Sequence, residues 1–489
     1  MHHTATVGSG TINLLKTIVG SGLLAIPYAF RMDGVLVGVA LTFFAAFTSA
    51  FGMFILGKCS KTLINPRNSS FFTICMLTYP FLSPLFDLIM IVQCFGCGLS
   101  YLVLFGDIFP TLFGGERESW ILLSALIVWP LCFLKKMDHL RFSSFIGIVA
   151  LLYLTLLVVG YFINDVFITD HYKDVRGEFN WIKVYDSKGL LSTFSIIVFS
   201  YAGAMNLFNI INELKDNSLG NIKRTISYSI LISTAMFLSV GICGYLTFGT
   251  NTRGNILLDY NPDSHWVSFG KFALAIMLIL SFPLQFHPLR IAVNNLVVWT
   301  EMQYAKTRGV QESENYYEND TLSSVHSRQN DIQRARTPIT LSVESGDHRL
   351  DGNNNNHSNF IDNDTIDAEN ASSSTEPDIE PGEEEMHVSF PNVRFYGITV
   401  VVLLVMYTLA MRVTSFATVL ALVGATGSTS ISFTFPGLFG YKMIGQDSLA
   451  VGQLIPPWDR FYKRCSLALV FFGLAVMCLS LYVTITESF

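Results

Sequence analysis

Apolar residues in this chain run in long blocks separated by short polar stretches, without the alternation of a half-buried strand or the three-to-four spacing of a half-buried helix. Eleven blocks read as crossings of about 30 Å of hydrocarbon: residues 8–30, 34–57, 83–110, 119–134, 143–163, 188–211, 226–248, 270–290, 395–412, 415–440 and 465–485. Hydrocarbon offers no water to a backbone N–H or C=O, so each block is expected to be an α-helix that pairs these groups internally. The chain therefore reads as an all-α polytopic membrane protein. The block 119–134 is the shortest of them.

Two blocks are interrupted. The first carries Gly20-Ser21-Gly22 at its centre, with Lys16 one turn before and Pro27 beyond; the sixth carries Ser200-Tyr201-Ala202-Gly203-Ala204-Met205-Asn206. An unwound turn at membrane depth is tolerated only where it is packed in protein or lines a cavity, and its freed ends offer N–H groups to an anion and carbonyls to a cation. The sixth block stands five places after the first, the spacing that an inverted repeat of five helices produces, so the breaks are expected to face each other. The plainer reading is that Gly20, Gly22 and Gly203 let helices pack closely. Breaks in corresponding positions favour a binding site, and valine at Gly22 or Gly203 is then expected to abolish transport without disturbing insertion.

Composition agrees with a membrane class: 51% of residues are hydrophobic and only 14% are charged. Lys58, Lys61, Arg67, Lys135, Lys136, Arg141, Lys215, Lys223, Arg224, Lys442, Arg460, Lys463 and Arg464 fall on one side of the eleven-span topology. By the positive-inside rule that side is cytosolic, with the amino terminus; the carboxyl terminus is outside or lumenal. Three regions follow: 1–300 with spans one to eight, a polar acidic stretch at 301–394, and 395–489 with spans nine to eleven. Residues 301–393 hold nineteen acidic and six basic residues, leaving eighteen acidic and twenty-five basic elsewhere, a net of about +7. The stretch has too little apolar material to offset the entropy of ordering it, so a disordered cytosolic loop is expected, available for regulatory contacts. Its sequons at Asn319, Asn356, Asn363 and Asn370 should then stay unglycosylated.

No basic n-region or cleavage site marks a cleavable signal peptide. Cys94-Phe95-Gly96-Cys97 lies inside an apolar span with no second pair at zinc spacing, and Gly98 beside it suggests close packing. There is no P-loop, G-x-S-x-G elbow or H-E-x-x-H helix, so neither ATP-driven pumping nor hydrolysis has a sequence basis. No enzyme activity, cofactor, metal or nucleic-acid partner is expected. The partners that remain are the bilayer and a small solute.

The runs N-L-L-K-T-I-V-G-S-G-L-L-A-I-P-Y-A (13–29), S-Y-L-V-L-F-G-D-I-F-P (100–110), I-N-E-L-K-D (211–216), S-F-P-L-Q-F-H-P-L-R (281–290) and G-A-T-G-S-T-S-I-S-F-T-F-P (424–436) resemble the amino acid/auxin permease family. The resemblance covers nearly all of the chain except 301–394 and is strongest to fungal vacuolar amino acid transporters. It implies a LeuT-type fold of two inverted five-helix repeats with an additional eleventh helix, and export of amino acids from the vacuolar lumen to the cytosol by alternating access. On that footing the N–H groups of Gly20, Ser21 and Gly22 receive the substrate carboxylate. Carbonyls around Tyr201, Ala202 and Gly203 accept the α-ammonium, and the side chain projects toward Tyr201, Met205 and Phe208 with Gln93 or Tyr101 from span three. No basic residue sits within either break, which tilts the reading toward neutral over acidic substrates.

In sodium-driven relatives the resemblance places a cation site between an Asn of the first helix and a Ser or Thr before the span-eight proline. Here those positions correspond to Lys16 and Ser281. An ammonium there would repel Na⁺ and can instead exchange a proton, so coupling to protons is expected. The alternative is that Lys16 snorkels toward the cytosolic end of its helix. His287 is the other titratable group inside a span, either a proton relay or a structural residue between Pro283 and Pro288. Asp87, Asp107 and Glu213 lie near span ends, where solvated or capping roles are expected. An exporter of acidic amino acids, an amino acid receptor signalling through the acidic loop, and a channel are the competing functional readings.

Overall fold

A computed structural model describes residues 5–63, 65–134, 141–169, 172, 176–182, 187–307, 391–446 and 453–488. Helices α1 (Val7–Ile18) and α2 (Ile26–Asp33) form the first block, joined by a 3₁₀ turn over Ser21–Ala25. The next are α3 (Val35–Lys61), α4 (Phe71–Thr78), α5 (Ser83–Phe113), α6 (Arg117–Cys132) and α7 (Arg141–Asn164). After these come α8 (Ser187–Ser200), α9 (Leu207–Glu213), α10 (Leu219–Phe248) and α11 (His265–Thr307). The last are α12 (Asn392–Arg412), α13 (Phe416–Val423), α14 (Phe435–Met443) and α15 (Pro457–Ser488). No strand occurs among the described residues; an isolated parallel bridge joins Ala5 to Leu214.

All eleven expected blocks are helical. Among the described residues nine helical stretches are long and apolar enough to cross a membrane, and the bent pair α1 and α2, kinked by 48°, makes a tenth. Helix α6 accounts for the block at 119–134: its 16 residues reach only about 24 Å at 1.5 Å per residue. Sequence reading misses α4, eight residues between Pro66 and Pro80. The side chain of Ser70 caps it by accepting from the Thr73 N–H at 3.0 Å, and Phe71, Ile74 and Cys75 are buried. Eight residues are too few to span and leave no long apolar signal.

Helix α11 runs past Arg290 to Thr307, well beyond the expected end at 290. Its extension and the start of α12 are joined by Arg394, whose Nη2 bonds both carboxylate oxygens of Glu301 at 2.9 Å. The first residues of the 301–394 stretch are therefore helix, and 392–394 open α12. The disordered-loop expectation and all four sequons fall on 308–390, outside the described residues.

The bundle is arranged around the two interrupted crossings. Helix α8 packs against α2 and the 3₁₀ turn, and α9 against α1; α5 lies along α11, and α10 braces α1, α2 and α3. Helix α15, the additional one, packs on α14 and α8. Helix α6 sits at the rim against α5, α11 and α12. Small residues make the close approaches: a Cβ at Gly98 would meet Met406 Sδ at 2.9 Å, and one at Gly440 would meet Ile55 Cγ2 at 2.5 Å. Gly98 thus serves the packing role that sequence assigned to it.

The connection between α10 and α11 carries a buried acid. Asp259 accepts from the Arg253 N–H at 2.9 Å and pairs with Arg253 Nε at 3.4 Å, while Arg31 Nη1 donates to Thr252 O at 2.9 Å beside it. Burial pushes the Asp259 carboxyl up to about 6, against the opposing pull of Arg253 and Arg31. A carboxyl raised in the fold binds a proton that the unfolded chain has released, so the contribution of Asp259 to stability is greatest at low pH and declines as pH rises from about 4 through about 6. Asp259→Asn should abolish that decline, raising stability at pH 7 by on the order of 2 kcal/mol while leaving it unchanged at pH 4. Melting of purified protein at the two pH values checks this.

Candidate substrate site

Both breaks are built the same way. In the first, the Val19 N–H still reaches Leu15 O at 2.7 Å, then the Gly20 N–H turns back to Ile18 O at 3.0 Å and the helix restarts. In the second, the Ala202 N–H bonds Phe199 O at 3.0 Å and the Gly203 N–H bonds Tyr201 O at 2.7 Å. Each is a tight two-residue turn replacing regular helical bonds, so each frees backbone groups. The N–H groups of Ser21 and Gly22 make no backbone hydrogen bond among the described residues, and neither does the carbonyl of Ala202. Free donors thus lie at the start of one half-helix and a free acceptor at the end of another, the polarity that suits an anion and a cation respectively.

The breaks lie against each other. A Cβ at Gly22 would stand 2.3 Å from Ser200 Oγ and 3.0 Å from Ser200 Cα, and one at Gly203 would stand 2.5 Å from Ile18 Cγ1. Gly20 differs: its nearest neighbour would be the Tyr101 hydroxyl at 3.9 Å. Beside it lies a small, partly open cleft. Thr17, Ile18, Gly20, Ser21 and Gly22 line it from the first crossing, and Phe199, Ser200, Ala202 and Met205 from the sixth. Gln93, Cys97 and Tyr101 on α5 and Gln285 on α11 close the far side. No charged side chain is among its described lining residues.

Span ten shapes this wall from behind. Between α13 and α14 the chain widens into two π-helical turns, Gly424–Ser428 and Ser430–Thr434, an uncommon geometry that recurs at functional sites. Gly427 packs directly on Gln93, and Ser428 Oγ donates to Gln93 Oε1 at 2.9 Å; Gln93 Nε2 in turn reaches Cys97 Sγ at 3.4 Å. Ser21 and Ser100 hydroxyls meet at 3.3 Å. The Ser and Thr residues between Thr426 and Thr434, the polar stripe a channel would need, are largely buried.

Of the ten candidate substrate residues, seven line the cleft: Gly20, Ser21, Gly22, Gln93, Tyr101, Ala202 and Met205. The Tyr201 side chain is turned away, fully buried, its hydroxyl bonded to Thr234 Oγ1 at 2.8 Å and its ring against Phe237. Gly203 faces Ile18, and Phe208 packs against Phe71 at 4.8 Å. Lys16 is not in the cleft either. Its side chain lies against α7 and α11, where a Cβ at Gly147 would meet Lys16 Cε at 3.2 Å and Met277 Cγ at 3.5 Å. Ser281, one turn beyond Met277 on α11, is buried, and its hydroxyl has no partner among the described residues. His287 lies elsewhere, its Nδ1 3.3 Å from Arg290 Nη2.

Sequence reading passed over Thr17, Cys97, Phe199, Ser200 and Gln285. Gln285 had a usable signal, an amide inside an apolar span between two prolines. Arg290 was also missed. Its guanidinium is buried, bonded to Cys132 O at 2.9 Å and 3.8 Å above the Phe395 ring, and it ties α11 to α6 and α12.

Two interrupted helices meeting at one cleft inside a membrane bundle are the arrangement of a membrane transporter. The family model for transmembrane amino acid transporter protein matches residues 3–479, and the chain belongs to that family. It is 55% identical to vacuolar amino acid transporter 7 of Saccharomyces cerevisiae over 99% of both chains. It is 32% identical to vacuolar amino acid transporter 5 of the same yeast, over 98% of this chain and 97% of the relative. The crystal structure of MhsT in complex with L-phenylalanine matches with a TM-score of 0.50 and 11% identity, covering 97% of this chain and 98% of MhsT. The fold is LeuT-type, as the resemblance implied.

The contacts separate two kinds of glycine. Gly20→Ala places a methyl at ordinary van der Waals contact with the Tyr101 hydroxyl, 3.9 Å away, and should leave folding intact while weakening amino acid binding about tenfold or more. Gly22→Val and Gly203→Val drive side chains into the opposite crossing and should lower the melting temperature as well as activity, a cost the sequence alone did not show. Ligand-dependent thermal shifts of the three variants separate these outcomes, and unchanged affinity in Gly20→Ala would count against the cleft as the binding site.

Proposed function

We propose that this chain is a secondary active amino acid transporter of the vacuolar membrane. It binds a neutral amino acid in the cleft and moves it from lumen to cytosol by alternating access, driven by protons and indifferent to sodium. The observation that carries the reading is the pair of helix breaks opening on one uncharged cleft. Ser21 and Gly22 N–H groups take the carboxylate and the Ala202 carbonyl takes the ammonium, so both ends common to all amino acids are held by main chain. The absence of a basic lining residue favours neutral over acidic side chains. The names of the two yeast relatives support the vacuolar assignment.

Proton coupling draws its support from Lys16. The lysine lies beside Met277 on the α11 face that also carries Ser281. An ammonium at this junction disfavours Na⁺ and supplies an exchangeable proton. In proteoliposomes, transport should persist when Na⁺ is replaced and collapse when the pH gradient is discharged. Lys16→Asn should cripple pH-driven accumulation yet spare exchange, because the cleft is intact. Sodium-dependent uptake that survives a protonophore would overturn the coupling. A Lys16→Asn protein with its gradient response intact would move the proton role to His287, tested by His287→Gln.

The proposed topology places the amino terminus and the 301–394 loop in the cytosol, with the carboxyl terminus lumenal. A protease site near Asn354 should be cleaved in sealed vacuoles while a tag after Phe489 stays protected. Cleavage only after detergent would reverse the orientation.

A further inference from the structure

Among the described residues, most polar side chains around the cleft have hydrogen-bond partners. Thr17 Oγ1 bonds Asn13 O at 3.0 Å, Ser200 Oγ bonds Ile196 O at 2.9 Å, and Gln93 is held at both ends by Ser428 and Cys97. An exception is Gln285. Its amide oxygen is the one buried side-chain atom of the lining that has no partner among the described residues. A buried carbonyl oxygen without a donor is costly, and a site that carries one rejects ligands that leave it unpaired.

We infer that Gln285 is a specificity-determining residue of the cleft, its amide oxygen accepting a hydrogen bond from an O–H or N–H on the substrate's side chain. The inference rests on the cleft being the amino acid site. There, the carboxylate and ammonium are taken by the first and sixth crossings. Gln285 comes from α11 and stands with Gln93 and Tyr101 on the third wall, which the side chain must meet. Met205 and Phe199 supply apolar contact on the sixth crossing. The favoured class is therefore uncharged amino acids whose side chains end in a donor, over apolar isosteres of the same shape.

Threonine and valine differ by a hydroxyl for a methyl and make the direct comparison. With full-length protein in proteoliposomes, unmodified transporter should prefer threonine roughly tenfold or more. Gln285→Leu should bring the ratio near one, chiefly by improving valine. Gln285→Glu, which retains an acceptor oxygen, should keep the preference for threonine. Gln285→Met serves in place of leucine should that variant fail to fold. No preference in the unmodified protein, or an equal loss of both substrates in Gln285→Leu with the ratio unchanged, would overturn the role of Gln285 alone. Affinity for both amino acids undiminished by Gly20→Ala would overturn the cleft reading and this inference with it.

Discussion

The structure depends on one constraint: inside a bilayer every backbone N–H and C=O needs a partner, and two crossings of this chain give some of theirs up. They do so at the same place. Each break closes on a tight turn, at Gly20 and at Gly203, and the loosened segments are pressed against one another with glycine at the contact. Protein, not lipid, surrounds the unpaired groups, and the remaining opening is the cleft. The rest of the bundle acts as a clamp around this junction: α10 against the first crossing, α5 and α11 across the cleft, and span ten behind α5.

Charge is kept away from that centre. Lys58 pairs with Asp459 and lies over Tyr462, Arg117 with Asp107 at 3.1 Å, and Arg176 with Asp165. Asp87, placed by sequence near a span end, is buried and receives the Asn295 amide at 3.2 Å. Of the ionisable groups deeper in the bundle, Lys16 lies at the junction of α1, α7 and α11, and His287 belongs to a knot around Arg290 that fastens α6 and α12. The two candidates for proton handling thus occupy separate packing environments, so substitution at one leaves the other's surroundings unchanged. The cleft itself has no charged side chain among its described lining residues; in the proposed reading its main-chain groups answer to features that all amino acids share, while α5 and α11 meet what differs between them.

Hydropathy and punctuation alone made the eleven helical blocks, the two breaks and their correspondence legible, because the bilayer imposes a length and a polarity that local sequence must satisfy. Glycines and small polar residues in an apolar run mark a break wherever they occur. Gly20, Ser21, Gly22, Ala202 and Met205 were accessible from sequence for that reason. The short helix α4 was not, since eight residues flanked by prolines carry no spanning signal. Nor was the extension of α11, which leaves the apolar block and is fastened by Arg394 and Glu301, ninety-three positions apart.

Tertiary packing decided which side chains turn inward. Tyr201 sits in the break yet faces α10, while Gln285, Cys97 and Thr17 lie on regular helices and face the cleft. A helix presents side chains all round its axis, and which of them meet a given space depends on how neighbouring helices are rotated and spaced, set by contacts such as Gly427 on Gln93 and Gly98 on Met406. The same holds for glycine: sequence places Gly20 and Gly22 two residues apart in one motif, but only the approach of Ser200 makes one a packing residue and leaves the other open to the cleft. Local sequence determined where the backbone had to open, since that follows from the chain's own hydrogen bonds; the identity of the groups facing the opening rests on non-local contacts that no single segment encodes.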